Sequence, residues 1–114
     1  MTTIHLEQLF HDLVSKFGTG SPFEFDATLQ FHLSGEGGGD WYMTLRDGKC
    51  EAAPGVAQLA DAVLDTNLDD FVKLISDSQE EIGWAFMQGR FNMTGNILPL
   101  WRVLAFLHES HAVN

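Results

Sequence analysis

The sequence predicts an α+β domain, with helices packed on one face of a mainly antiparallel sheet. Three observations carry this. Apolar spacing near the N-terminus has the 3.6-residue period of a helix, changes to period 2 from residue 23, and returns to helical spacing after residue 66. Turn-forming residues, above all Asp47-Gly48, fall between the periodic segments. The resulting order is α-β-β-β-β-α-α-β-α.

The elements follow in turn. Leu6, Leu9, Phe10, Leu13, Val14 and Phe17 line one face of a first helix, with Glu7, Gln8, His11, Asp12 and Lys16 opposite. Thr2 or Thr3 can cap its start, Gly18 fits its end, and residues 19–22 form a connector. From 23 to 33, Phe23, Phe25, Ala27, Leu29, Phe31 and Leu33 alternate with polar residues as a strand with one dry face. The glycine-rich run 35–39 is a turn into a second strand, 40–46, carrying Trp41, Met43 and Leu45. Asp47-Gly48 turns the chain into a third strand, 49–53, stopped by Pro54-Gly55, and a fourth strand is expected over 59–65. Thr66 with Asp69, and Ser78 with Glu81, resemble capping boxes that open two helices. Leu68, Phe71, Val72 and Ile75 line the first of these, and Gly89 ends the second. Residues 90–94 form a short strand, and Asn96 caps a last helix that tolerates Pro99 in its first turn.

The 114 residues point to a single domain spanning 1–114, and 45% hydrophobic against 19% charged residues fits a folded core. Sixteen acidic residues against six basic ones give a net charge of −10, which disfavours nucleic acid and tight binding to anionic membranes. One cysteine excludes an intrachain disulfide. No apolar run has the length of a membrane span, and the N-terminus lacks the basic region of a signal peptide, so a cytoplasmic protein is expected.

Two features depart from an ordinary helix-on-sheet pattern. From 97 to 107 the one clearly polar residue is Arg102, so the last helix is apolar all round and needs a second surface to cover it. That surface is another core element, a partner chain or an apolar ligand; the small size of the domain favours ligand or partner. Large soft side chains also cluster nearby: Trp84, Phe86, Met87, Phe91, Met93 and Trp101. Each alone reads as core, and together they fit a cavity for variable apolar shapes.

The residues of catalysis are missing. There is no nucleophile elbow, and the 35–39 run lacks the Lys-Ser/Thr of a phosphate loop. His108 and His111 share a helix face but have no third metal ligand. Cys50 lacks an activating base and reads as a small packed residue. Asp69, Asp70, Glu80 and Glu81 are accounted for by helix-dipole stabilisation. No enzyme activity, cofactor or metal is expected.

The run Ala85-Phe86-Met87-Gln88-Gly89-Arg90-Phe91-Asn92-Met93-Thr94-Gly95-Asn96 resembles the signature of the sterol carrier protein 2 lipid-binding family. The strand 25–33, Trp41, the Asp47-Gly48 turn, Ala60-Asp61 and the helix 69–75 occur in that family's order, so the resemblance spans about 6–107. Arg90 stands where Lys is commoner, Trp101 adds bulk to the last helix, and neither a peroxisomal role nor the activity of a fused enzyme domain is expected. The resemblance implies a five-stranded sheet covered by helices on one side, with an apolar tunnel between them. It implies an intracellular carrier of fatty acid, fatty acyl-CoA, sterol-like or quinone-like lipids. On apolarity and family position, Trp84, Phe86, Phe91, Met93, Leu98, Trp101 and Leu104 are the candidate ligand-lining residues. Gln88, Arg90 and Arg102 are candidate head-group contacts, each also readable as a surface or capping side chain. The expected partners are a lipid ligand and at most a transient membrane contact. The competing reading is a protein-interaction or homodimerisation module that buries the apolar last helix without any lipid, with a second copy or a basic protein as its partner.

Overall fold

A computed structural model of the chain describes residues 5–17, 23–76 and 82–112. The elements are α1 (Leu6–Ser15), β1 (Ala27–Ser34), β2 (Gly39–Arg46), β3 (Lys49–Pro54), β4 (Ala62–Asn67), α2 (Leu68–Ser76), α3 (Ile82–Met87), β5 (Phe91–Gly95) and α4 (Ile97–Ala112). The nine elements occur in the expected order. One five-stranded sheet runs β3-β2-β1-β4-β5, with β1 and β4 parallel and the other three pairings antiparallel. No described helix is long and apolar enough to cross a membrane.

Strand alternation divides the sheet into two faces. Leu29, Phe31 and Leu33 of β1, Met43 and Leu45 of β2, Leu64 of β4 and Phe91 of β5 are buried on the inner face, beneath the helices. Phe10 of α1 ties the layers together, with its ring 5.5 Å from Phe31, 6.0 Å from Phe71 and stacked 5.0 Å from Trp41. The Asp47-Gly48 turn has positive φ at both residues (53° and 75°), as a two-residue turn matched to strand twist requires. Arg46 and Lys49 are accordingly paired across it.

On the outer face, the connection from β3 to β4 passes over β1. Gln30, only 1% exposed, holds it there: its Nε2 donates to the carbonyls of Trp41 and Gly55 (both 3.0 Å), and its Oε1 accepts the Ala57 N–H (2.7 Å). Further along, Thr28 donates its N–H to Asp61 Oδ2 (2.7 Å) and accepts the Asp61 N–H at its carbonyl (2.8 Å).

Several boundaries differ from the sequence expectation. The first strand begins at Ala27, because Phe23 and Phe25 pack against each other (5.1 Å) and Phe23 against Phe17 and Phe106. Residues 59–61 belong to the crossover, not to β4, and Leu59 is 85% exposed. Asn67, one residue after Thr66, caps α2: its Oδ1 accepts the Asp70 N–H (2.8 Å) while its Nδ2 donates to the Asp70 carboxylate (2.9 Å). Thr66 instead donates its hydroxyl to the Arg90 carbonyl (2.9 Å). Thr2, Thr3, Gly18, the 19–22 connector and the Ser78–Glu81 box lie outside the described residues.

Candidate functional site

The all-apolar helix α4 has several neighbours. Leu100, Val103, Leu104 and Leu107 form one stripe at i, i+3, i+4 and i+7, each at most 1% exposed. This stripe belongs to the same buried cluster as Phe71 and Leu74 of α2 and Leu64 of β4. Exposure this low leaves no room for a water molecule beside these side chains, so this stripe of α4 is packed as core. On one flank, Phe106 meets Phe17 (4.9 Å) and Phe23 (5.8 Å). On the other, Trp101 and Phe86 of α3 meet at right angles with their ring centres 6.0 Å apart. The helix is apolar all round because protein covers it on several sides, leaving Ile97 (42%) and Leu98 (64%) exposed in its first turn.

The expected lining residues therefore fall into three places. Phe86, Phe91 and Trp101 come together, Phe86 lying 5.6 Å from Phe91, with Met93 packed beside the core. Leu104 is buried. Trp84 (58% exposed) and Leu98 face solvent.

The expected head-group residues have local occupations. The Arg102 guanidinium lies over the rings of Phe23 (5.4 Å) and Phe25 (5.2 Å). Arg90 pairs with Asp70 at 3.3 Å. Gln88 is exposed where α3 ends, its backbone N–H bonded to the Trp84 carbonyl.

An apolar cleft of about 700 Å³ opens elsewhere, between α1 and the β2–β3 edge of the sheet. Phe10 and Val14 form one wall, Trp41, Cys50, Ala52 and Pro54 the other, and Glu7, His11 and Glu51 complete the lining. Its origin is local. β3 pairs with β2 so that Cys50 faces Leu45, Ala52 faces Met43 and Pro54 faces Trp41, which gives β3 only small side chains on the inner face. A helix packed over such a strand cannot close the gap. Sequence reasoning passed over this site, although the signal was present: an alternating strand whose inward residues are all small, beside one carrying Trp41.

Within the cleft, burial and the neighbouring Glu51 charge push the Cys50 thiol up to about 12. The thiol stays protonated near neutrality and acts as lining, not as a nucleophile.

The outer face carries a polar cleft of about 440 Å³, lined in part by His32, Asp40, Asp65, Asn67 and Asn92. His32 is in register with both Asp40 and Asp65, and its Nδ1 lies 2.6 Å from Asp40 Oδ1. Among the described residues no group of three His, Cys, Asp or Glu side chains could hold a metal ion. The side chains of His108 and His111 lie outside the described set.

Comparison with known proteins bears on this arrangement. The sequence model of the SCP-2 sterol transfer family matches residues 24–102. Mouse hydroxysteroid dehydrogenase-like protein 2 is 39% identical over 72 residues, covering 62% of this chain and 14% of that protein. The chain therefore spans a small part of that relative's length. Among solved structures, palmitated SCP2L2 from Aedes aegypti superposes with a TM-score of 0.72 at 19% identity, covering 92% of this chain and 96% of that one. A double mutant of the sec-alkyl sulfatase PisA1 superposes with a TM-score of 0.77 at 18% identity, over 90% of this chain and 16% of that one.

Proposed function

Because this chain belongs to the SCP-2 sterol transfer family, we propose that it is a cytoplasmic lipid carrier that holds the apolar part of its ligand in the cleft between α1 and β3. The observation that carries this reading is the cleft itself: about 700 Å³, walled by Phe10, Val14, Trp41, Ala52 and Pro54, and within the usual size of small-ligand sites. The same fold in palmitated SCP2L2 supports the general class of ligand. The dehydrogenase-like name of the mouse relative is not carried over, since this chain covers 14% of that protein.

The chemistry of such a carrier is desolvation. Burying a sixteen-carbon chain releases about 13 kcal/mol gross at about 0.8 kcal/mol per methylene. Association and ordering costs remove a large share, which leaves micromolar affinity, about 8 kcal/mol. The charges of the lining then select the head group. Glu7 of α1 lines the cleft, while Arg90 and Arg102 are engaged elsewhere. A carboxylate or phosphate head at this site meets like charge, so a neutral head (an alcohol, an ester or a quinone) fits better than a fatty acid anion.

Native mass spectrometry of the gently purified protein, followed by solvent extraction, tests the carrier reading. Titration with a long-chain alcohol and with the fatty acid of equal length then tests the head-group preference. The alcohol should bind several-fold tighter, and Glu7→Gln should narrow the difference. A protein that comes out empty and binds neither added lipid would overturn the carrier reading. Equal affinities unaffected by Glu7→Gln would remove the ligand from this cleft.

A further inference from the structure

β3 is an edge of the sheet, bonded to β2 on one side alone. Gly55 donates its N–H to the Asp40 carbonyl (2.8 Å), so those two residues form a hydrogen-bonded pair. Alternation along an antiparallel ladder then makes Tyr42 with Ala53, Thr44 with Glu51 and Arg46 with Lys49 the other hydrogen-bonded pairs. The main-chain groups of Cys50, Ala52 and Pro54 therefore point away from β2. Among the described residues nothing bonds these outward groups. The same residues carry the small inner side chains of β3, so the unpaired edge runs beside the apolar cleft. An edge of this kind is a template for a further strand.

We propose that this edge pairs with β3 of a second copy, antiparallel and centred on Ala52, so that two sheets become one. The strand is self-complementary in that register. With Ala52 opposite Ala52, Cys50 faces Pro54 across the two-fold axis. The Ala52 residues bond each other in both directions, and each Cys50 N–H donates to the Pro54 carbonyl of the second copy. Pro54, which has no N–H, is needed only as an acceptor. On the outer face Glu51 falls opposite Ala53 and Lys49 opposite Gly55, so no like charges face each other. Centring on Glu51 would set two carboxylates face to face. Centring on Ala53 would carry Cys50 past the end of the other strand. Each copy has a net charge of −10, so salt that screens long-range repulsion favours the pairing. The pairing also bears on the cleft. The wall of small side chains continues from one β3 into the other, which covers each cleft on the side that lies at the sheet edge. That consequence rests on the carrier reading; the pairing itself does not.

Light scattering of the full chain tests the pairing, at about 0.5 mM because so small an interface forms a weak dimer, and in salt that screens the net charge. The wild type should be dimeric. Ala52→Pro removes a donor that β2 does not use, so the chain should fold, as circular dichroism would show, and stay monomeric. Should the proline variant not fold, Ala53→Glu and Ala53→Lys test the register. The first puts a carboxylate opposite Glu51 of the second copy and should weaken the dimer several-fold. The second puts an ammonium there and should strengthen it several-fold. The same charges placed at Gln58, exposed on the crossover, should leave it unchanged. A monomeric wild type, a dimer that survives Ala52→Pro in a folded chain, or equal shifts from Gln58 and Ala53 would overturn the proposal. So would a dimer that Leu98→Glu dissolves and Ala53→Glu does not, because the interface would then belong to α4. Lipid binding separates the two readings: a dimer that carries no lipid removes the carrier alone, and a monomer that carries lipid removes the pairing alone.

Discussion

Leu104→Ala distinguishes a filled interior from a ligand tunnel beneath α4. Leu104 is 1% exposed, and its stripe partners Leu100, Val103 and Leu107 show no exposure at all. Truncating a leucine in such a site removes its transfer free energy and leaves a cavity that close-packed neighbours fill only in part, at a cost of about 3 kcal/mol. The unfolding entropy of a 114-residue chain is about 240 cal/mol/K near 60 °C, at about 2.1 cal/mol/K per residue. The melting temperature should therefore fall by about 12 °C. A urea titration should show a lower midpoint with an unchanged slope, because the area exposed on unfolding hardly changes. If Leu104 instead bordered an existing void, truncation would merely widen that void. A loss below about 1.5 kcal/mol, or a fall of less than about 6 °C, would refute the filled-core argument and return α4 to the lining of a tunnel.

Three further outcomes follow from the same packing. Gln30→Leu deprives the carbonyls of Trp41 and Gly55 and the N–H of Ala57 of their shared partner. It should cost about 2 kcal/mol in urea unfolding, and a loss under about 0.5 kcal/mol would mean that the crossover is held by other contacts. Cys50 should resist alkylation at pH 8 in the folded protein and react on unfolding, and occupancy of the cleft by lipid should slow its residual reaction further. Its thiol is raised from 9 to about 12 in the fold, so between those values the unfolded chain has lost a proton that the folded chain retains. This group's contribution to stability is therefore complete below pH 9 and declines as pH rises toward 12; in the Cys50→Ser variant that part of the alkaline decline should be absent.

The sequence made the order of elements legible because each carries its own period: 3.6 in Leu6 to Phe17, 2 in Ala27 to Leu33, and glycine or Asp-Gly at the turns. It misplaced the ends where tertiary contacts outvote alternation. Phe23 and Phe25 have strand spacing, yet their rings pack beneath Arg102 and beside Phe106. Leu59 and Asp61 also have strand spacing, yet they lie on the crossover that Gln30 helps to hold. The candidate site was harder to read for a different reason. Periodicity reports that a side chain seeks an apolar neighbour, but not whether that neighbour is protein or ligand. The most apolar helix proved to be covered by protein over much of its surface, since Phe17, Phe23 and Phe71 lie far from it in sequence and only the fold brings them to α4.

A cavity is marked less by the largest apolar side chains than by small ones opposite large ones. Cys50, Ala52 and Pro54 attract no notice as a sequence, but set against Leu45, Met43 and Trp41 under α1 they leave the space a ligand can use. Trp84, Met87 and Leu98, by contrast, are too exposed to form the wall of an enclosed site, however apolar they are.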